Sequence, residues 1–157
     1  MAIVKEHIYL EDLDGSSIRF KNFSGIAIPP YNAEGSRNFN IDIPEDLVDK
    51  LLDDGWNIKP ARDKELEDGS IRHYPAHLKV NIKYNYDKNI IPRISMDCRG
   101  KQIELTEETL SRLDDMQILH VKGIDISPYN YDVRGSQGVS AYLSKMRLEV
   151  APDMFID

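Results

Sequence analysis

Cysteine is nearly missing from this chain: Cys98 stands alone, so no internal disulfide can form. A metal site would have to be built from histidine and carboxylates, and Cys98 itself reads as a structural thiol at a strand end in a reducing compartment. Long apolar runs are missing too. No stretch approaches the roughly 20 residues that a membrane-spanning helix needs. Residues 1–12 contain acids and no apolar signal-peptide core. There is no internal repeat and no low-complexity tract. With 157 residues and a hydrophobic share of 41%, one domain around one core is expected, spanning residues 1–150, with residues 151–157 as a short acidic tail.

Catalytic motifs are equally thin. No Gly-x-Ser-x-Gly elbow occurs, and nothing beside Cys98 would activate it. His73 and His77 have a spacing that could hold a metal on a helix, but Pro75 between them argues against helix and no zincin-type carboxylate follows. Arg134-Gly135-Ser136-Gln137-Gly138 lacks the full glycine-rich phosphate signature and no helix follows it. It reads as a hairpin loop whose N–H groups and Arg134 could meet a phosphate. We therefore expect no catalytic residue, no metal and no cofactor; a hydrolase is the third-ranked reading.

Positive charge is in deficit, at a net −7, which by itself argues against a nucleic-acid partner. Its distribution argues the other way. Residues 44–54 and 104–115 each carry a net −4, and the tail adds −2, so the β-rich remainder is near +3. Local field governs binding, because salt screens charges beyond roughly 10 Å.

What the chain does have is short alternating segments. In residues 76–86, Leu78, Val80, Ile82, Tyr84 and Tyr86 fall on one face and Lys79, Asn81, Lys83 and Asn85 on the other. Residues 16–23 read as a strand with Ile18 and Phe20 inward, and residues 38–43 as another. Pro44, the stripe Leu47, Val48, Leu51 and Leu52, and Gly55 predict a capped amphipathic helix. Residues 60–74 read as a mobile loop, and 76–86 with 90–97 as a hairpin joined at 87–89. Thr106 is expected to cap a short helix with Leu110 and Leu113 inward. Residues 116–126 and 139–150 read as strands separated by a loop over 127–138. Short strands with few helices predict a mainly β fold: an OB-fold-like five-stranded barrel with two short helices.

Several stretches carry a family resemblance. They are N-F-S-G at 22–25, Y-N-A-E-G-S-R-N-F at 31–39, D-D-G-W-N-I-K at 53–59 and L-K-V-N-I-K-Y at 78–84. They continue with I-P-R-I at 91–94, L-T-E-E-T at 105–109 and I-S-P-Y-N-Y-D-V-R-G-S-Q-G-V-S-A-Y-L at 126–143. Together they resemble the small single-stranded DNA-binding proteins of tailed bacteriophages, across roughly residues 16–150. The resemblance implies an OB barrel that coats single-stranded DNA in phage replication and recombination. It implies no enzymatic activity and, for a viral protein, a place in the host cytoplasm. Lys79, Lys83, Arg93, Lys145 and Arg147 would then neutralise phosphates, with Arg134 at the groove rim. Tyr31, Trp56, Tyr129 and Tyr131 would stack on bases. Arg37 and Lys59 lie inside the matching stretches and join the set. The tail, short for the family, would recruit replication proteins or shield the DNA site, and a homodimer is compatible with this reading. The alternative is an acidic protein-interaction module, such as a phage inhibitor of a host protein, that uses its acidic helices.

Overall fold

The computed structural model describes residues 4, 6–27, 29, 30 and 33–152. In the main sheet, strands form where alternation lets one face be buried. β1 (Ile8–Asp14) buries Ile8 and Leu10, and β2 (Ile18–Asn22) buries Ile18. Between them the 3-10 turn Gly15–Ser17 bends the chain, with the Asp14 carboxylate accepting the Ser16 N–H at 2.8 Å. Gly15 is required there by close approach: a Cβ would stand 1.8 Å from the Ile118 carbonyl oxygen.

β3 (Arg37–Asp42) buries Phe39 and Ile41 completely. α1 (Glu45–Asp54) follows Pro44, carries Glu45 and Asp46 at the positive end of its dipole, and stops at Gly55 with φ 110°. The N–H groups of Gly55 and Trp56 cover the Leu52 and Leu51 carbonyls at 3.1 and 3.0 Å. β4 (Arg62–Glu65) and β5 (Ile71–Tyr74) pair as a separate two-stranded ribbon. β6 (His77–Ile82), β7 (Arg93–Cys98) and β8 (Lys101–Leu105) come next, then a 3-10 helix, Leu110–Asp115. Two long strands, β9 (Ile118–Val133) and β10 (Ser136–Val150), close the chain.

The main sheet runs β1-β9-β10-β6-β3-β2, with β7 added to β10 and β8 to β7. β1 and β2 are joined by the three-residue 3-10 turn Gly15–Ser17, so the two ends of the path are consecutive in the chain. Five strand positions thus follow one another round one core: β1/β2, β3, β6 with β7, β10 and β9. β6 and β7 run parallel to β10; the other neighbours are antiparallel. This is the partly open five-stranded barrel of the OB type. Phe23, Phe39, Met96, Leu110, Leu113 and Ile126 fill it, and burying each large apolar side chain contributes about 1.5–3 kcal/mol. No helix among the described residues is long and apolar enough to cross a membrane.

Several expectations are corrected. Residues 60–74 form the β4–β5 ribbon. β6 and β7 make no hairpin: each finds its partner in β10, and only an Asn85–Ile90 bridge joins the ends of the excursion between them. Residues 127–138 are mostly strand, because Arg134 and Gly135, at φ 51° and 79°, supply the left-handed pair that a tight two-residue hairpin turn requires. Leu110 and Leu113 are buried as expected, but the helix is 3-10, starts after Thr109, and has no side-chain cap. Residues 8–14 form β1, which alternation alone left unassigned.

Candidate nucleic-acid interface

Lys79 and Asn81 point away from the core because Leu78, Val80 and Ile82 point into it. The register carries this polar row across the sheet. Lys79 pairs with Asn40, and Asn40 with Arg19. One step along, Asn81 pairs with Asn38 on one side and Tyr142 on the other, and Tyr142 with Ser127. The Asn81 side-chain amide donates to the Ala141 carbonyl at 3.2 Å, which fixes its orientation. At the sheet edge Asn22 is buried and ties down the loop that follows: its Oδ1 accepts the Gly25 and Ile26 N–H groups at 3.1 and 3.2 Å.

After Ile82 the chain leaves the β10 edge and returns at Arg93. This excursion and the β9–β10 surface enclose a groove of about 560 Å³. Lys83, Asn85, Lys88 and Asn89 line one wall, and Tyr129, Tyr142, Ser127 and Ser144 line the other. Tyr129 is 59% exposed and meets Tyr142 edge-on, with centroids 5.8 Å apart. Such a wall offers π faces beside ammonium groups, the combination that holds an unpaired nucleotide. Tyr131 lies over Gly138, where a Cβ would stand 2.4 Å from its hydroxyl. Arg134 is exposed at the hairpin tip.

Arg93 and Lys145 stand directly opposite each other on β7 and β10. Like charges in that position destabilise a sheet, and both side chains line a second groove of about 670 Å³ that shares Ile91 and Pro92 with the first. Glu104, Glu107 and Glu108 line the same groove. Among the described residues, Lys79, Lys83, Arg93 and Lys145 have no carboxylate within ion-pair reach. Lys59 is exposed, and its backbone bridges His77, two residues from Lys79.

Other cations are already engaged. Arg147 donates to the Asp97 carboxylate at 3.0 Å, and Lys122 donates to the same oxygen. Asp97 is only 8% exposed; its burial opposes the charge, but the Lys122 and Arg147 hydrogen bonds outweigh it and hold the carboxyl below its ordinary value. Arg37 donates to the Phe23 carbonyl at 3.1 Å and to Glu107 at 3.3 Å, and lies over the Tyr84 ring. It is a strut between the loop after β2 and the start of the excursion. Glu107 also accepts from Tyr86, whose phenol is pushed up to about 12 chiefly by that hydrogen bond.

Trp56 does not belong to the interface. It is 3% exposed and packs in the core, so its ring has no free face. Tyr31 and the tail residues from Asp153 lie outside the described residues. Two aromatics were overlooked. Tyr142 alternates with Ala141 and Leu143 and could have been read as outward-facing. Phe20 could not: alternation pointed it inward, but the register shifts between Arg19 and Asn22. The bulge sends Lys21 to the Leu113 and Met116 carbonyls and leaves Phe20 79% exposed at φ 51°. A left-handed phenylalanine costs about 1–3 kcal/mol and marks a position worth a functional reading.

A family model described as "Putative phage ssDNA-binding domain" matches residues 2–155. Two structures of the single-stranded DNA-binding protein of bacteriophage Enc34 are similar in fold. A C-terminal truncation has a TM-score of 0.53 at 10% identity, covering 95% of this chain and 88% of that one. A complex with single-stranded DNA has a TM-score of 0.52 at 9% identity, covering 96% and 89%. No curated protein matches the sequence.

Proposed function

The chain belongs to the phage single-stranded DNA-binding family and binds single-stranded DNA; we propose that it does so without sequence preference, across the outer face of β3 and β6 and into the groove beside Tyr129 and Tyr142. One observation carries the placement: Lys83, with no carboxylate in ion-pair reach among the described residues, lines one groove with the exposed Tyr129 and the half-buried Tyr142, and Lys79 lies on the same outward face of the chain two alternating positions earlier. Phosphates would meet Lys79, Lys83, Arg93 and Lys145, with Lys59 and Arg134 at the margins. Bases would stack on Tyr129, Tyr142 and Phe20, with Tyr131 alongside, each stack contributing about 1–3 kcal/mol.

The role that suits such chemistry is non-enzymatic coating of single strands exposed during phage replication and recombination, in the host cytoplasm. Phosphate contacts and stacking do not read base edges, so affinity should depend on salt and hardly on sequence. Fluorescence anisotropy with labelled oligo-dT at low and high salt, beside a duplex of equal length, tests this. Tight, salt-sensitive binding to the single strand and weak binding to duplex is the expected result. Equal affinity for both would sink the assignment to this groove, whose tyrosines need unstacked bases.

A further inference from the structure

The β4–β5 ribbon sorts its charges by face. Its register pairs Arg62 with Tyr74, Asp63 with His73, Lys64 with Arg72 and Glu65 with Ile71. Directly opposed residues share a face and successive residues alternate. Arg62, Lys64, Arg72 and Tyr74 therefore form one face, and Asp63, His73, Glu65 and Ile71 the other. Side-chain contacts agree. The Arg62 and Arg72 guanidinium carbons lie 5.3 and 5.2 Å from the Tyr74 ring centroid, while His73 meets Asp63 at 2.7 Å on the opposite side. Among the described residues, no carboxylate is within ion-pair reach of Arg62, Lys64 or Arg72.

This arrangement opposes the ribbon's own stability. A lone two-stranded hairpin is marginal in water, and Lys64 opposite Arg72 adds repulsion. Cation–π contacts at exposed sites return only about 0.5–1 kcal/mol each. An anion seated on the face would relieve the repulsion. Guanidinium groups suit phosphate, and the ring supplies a surface for a base. Position matters as well. β5 runs through Pro75 and Ala76 into β6, so Tyr74 and Lys79 belong to one short stretch of chain, at most about 17 Å apart at strand rise. The base of the ribbon is tied to the body by paired Lys59–His77 backbone hydrogen bonds of 2.8 and 3.0 Å.

We propose that the face formed by Arg62, Lys64, Arg72 and Tyr74 is a second phosphate-and-base contact for the same single strand that crosses Lys79 and Lys83. The assignment rests on the DNA-binding reading above and extends its footprint beyond the barrel. The ribbon then acts as an arm that long strands reach and short ones do not.

The test compares oligo-dT of about 6 and about 16 nucleotides, within the range of site sizes known for single OB folds. In the variant R62Q/K64Q/R72Q the salt slope for the long oligonucleotide should fall by about 2, from three phosphate contacts at about 0.7 each. The short oligonucleotide should bind the variant and the parent protein alike. A second variant, Lys64→Glu, replaces the Lys64–Arg72 repulsion with an ion pair. It should leave melting unchanged or raised and still weaken binding of the long strand. Unchanged slopes with both lengths in a parent protein that binds DNA would overturn the arm while sparing the barrel site. Failure of the parent protein to bind either length would overturn the DNA reading and the arm together.

Discussion

Two regions of the outer sheet surface carry the same kind of side chain and differ in what those side chains face. Around β6 and the first half of β10, Lys79 and Lys83 have no acidic partner among the described residues, and Lys83 lines the groove with Tyr129 and Tyr142. Around β7 and the second half of β10, Lys122 and Arg147 both close on Asp97. The sequence makes the two regions look alike, as strands with outward cations. The structure leaves the cations of one without a carboxylate in ion-pair reach among the described residues and closes the other into a finished ion cluster. A cation that already has a buried carboxylate partner must give it up before it can meet a phosphate, so pairing, not composition, decides where a strand of DNA can lie.

The contrast can be broken most severely at its aromatic wall. Replacing Tyr129 and Tyr142 together with alanine removes two stacking surfaces at about 1–3 kcal/mol each. Anisotropy should show affinity for oligo-dT lower by at least about 30-fold, with the salt slope unchanged because no phosphate contact is lost. Loss of slope without loss of stacking energy would mean that the tyrosines only shape the groove.

A second change should move the cluster toward the receptor. Asp97→Asn leaves Lys122 and Arg147 without their charged partner, so the salt slope should rise by up to about 1.4 as two cations become available. The same substitution removes charge-assisted hydrogen bonds worth about 1.5–3 kcal/mol, and thermal melting should fall accordingly. The acid limb carries a matching sign. The Asp97 carboxyl sits below its ordinary 3.8 in the folded protein. Its stabilisation is therefore complete above that value and disappears as pH falls through the depressed one. The asparagine variant should lack this part of the acid transition, which melting at graded pH would show.

A smaller effect is expected at Gly138. A Cβ there would collide with the Tyr131 hydroxyl at 2.4 Å, so Gly138→Ala should swing that ring off the strand. Affinity for oligo-dT should change by about 1 kcal/mol, the low end for one stack, with melting little altered.

Much of this surface was legible before folding was considered. Alternation in residues 76–86 placed Lys79 and Lys83 outward, and 139–150 read as a strand, although the register shift between Leu143 and Lys145 moves the buried side from Val139, Ala141 and Leu143 to Met146, Leu148 and Val150. What alternation could not supply was partnership. Asp97 and Lys122 are 25 residues apart in the chain, so nothing local marks Arg147 as engaged. The parallel pairing of β6 and β7 with β10 is equally non-local, which is why 76–97 imitated a hairpin. Trp56 carried the residue type of a stacking site, but the turn after Gly55 delivers it to the core. Phe20 followed the inward pattern until a bulge reversed it. The ribbon's sorting of charge by face became visible only with its register.

The most direct test sets the two regions against each other in one salt titration. Lys79→Gln with Lys83→Gln, and separately Lys122→Gln with Arg147→Gln, are titrated with oligo-dT and the slope of log affinity against log salt is read. Slope lower by about 1.4 for the first pair, and unchanged for the second, is the predicted result. Equal losses in both, or loss only in the second, would contradict the claim that unpaired cations on the β6 face define the DNA path.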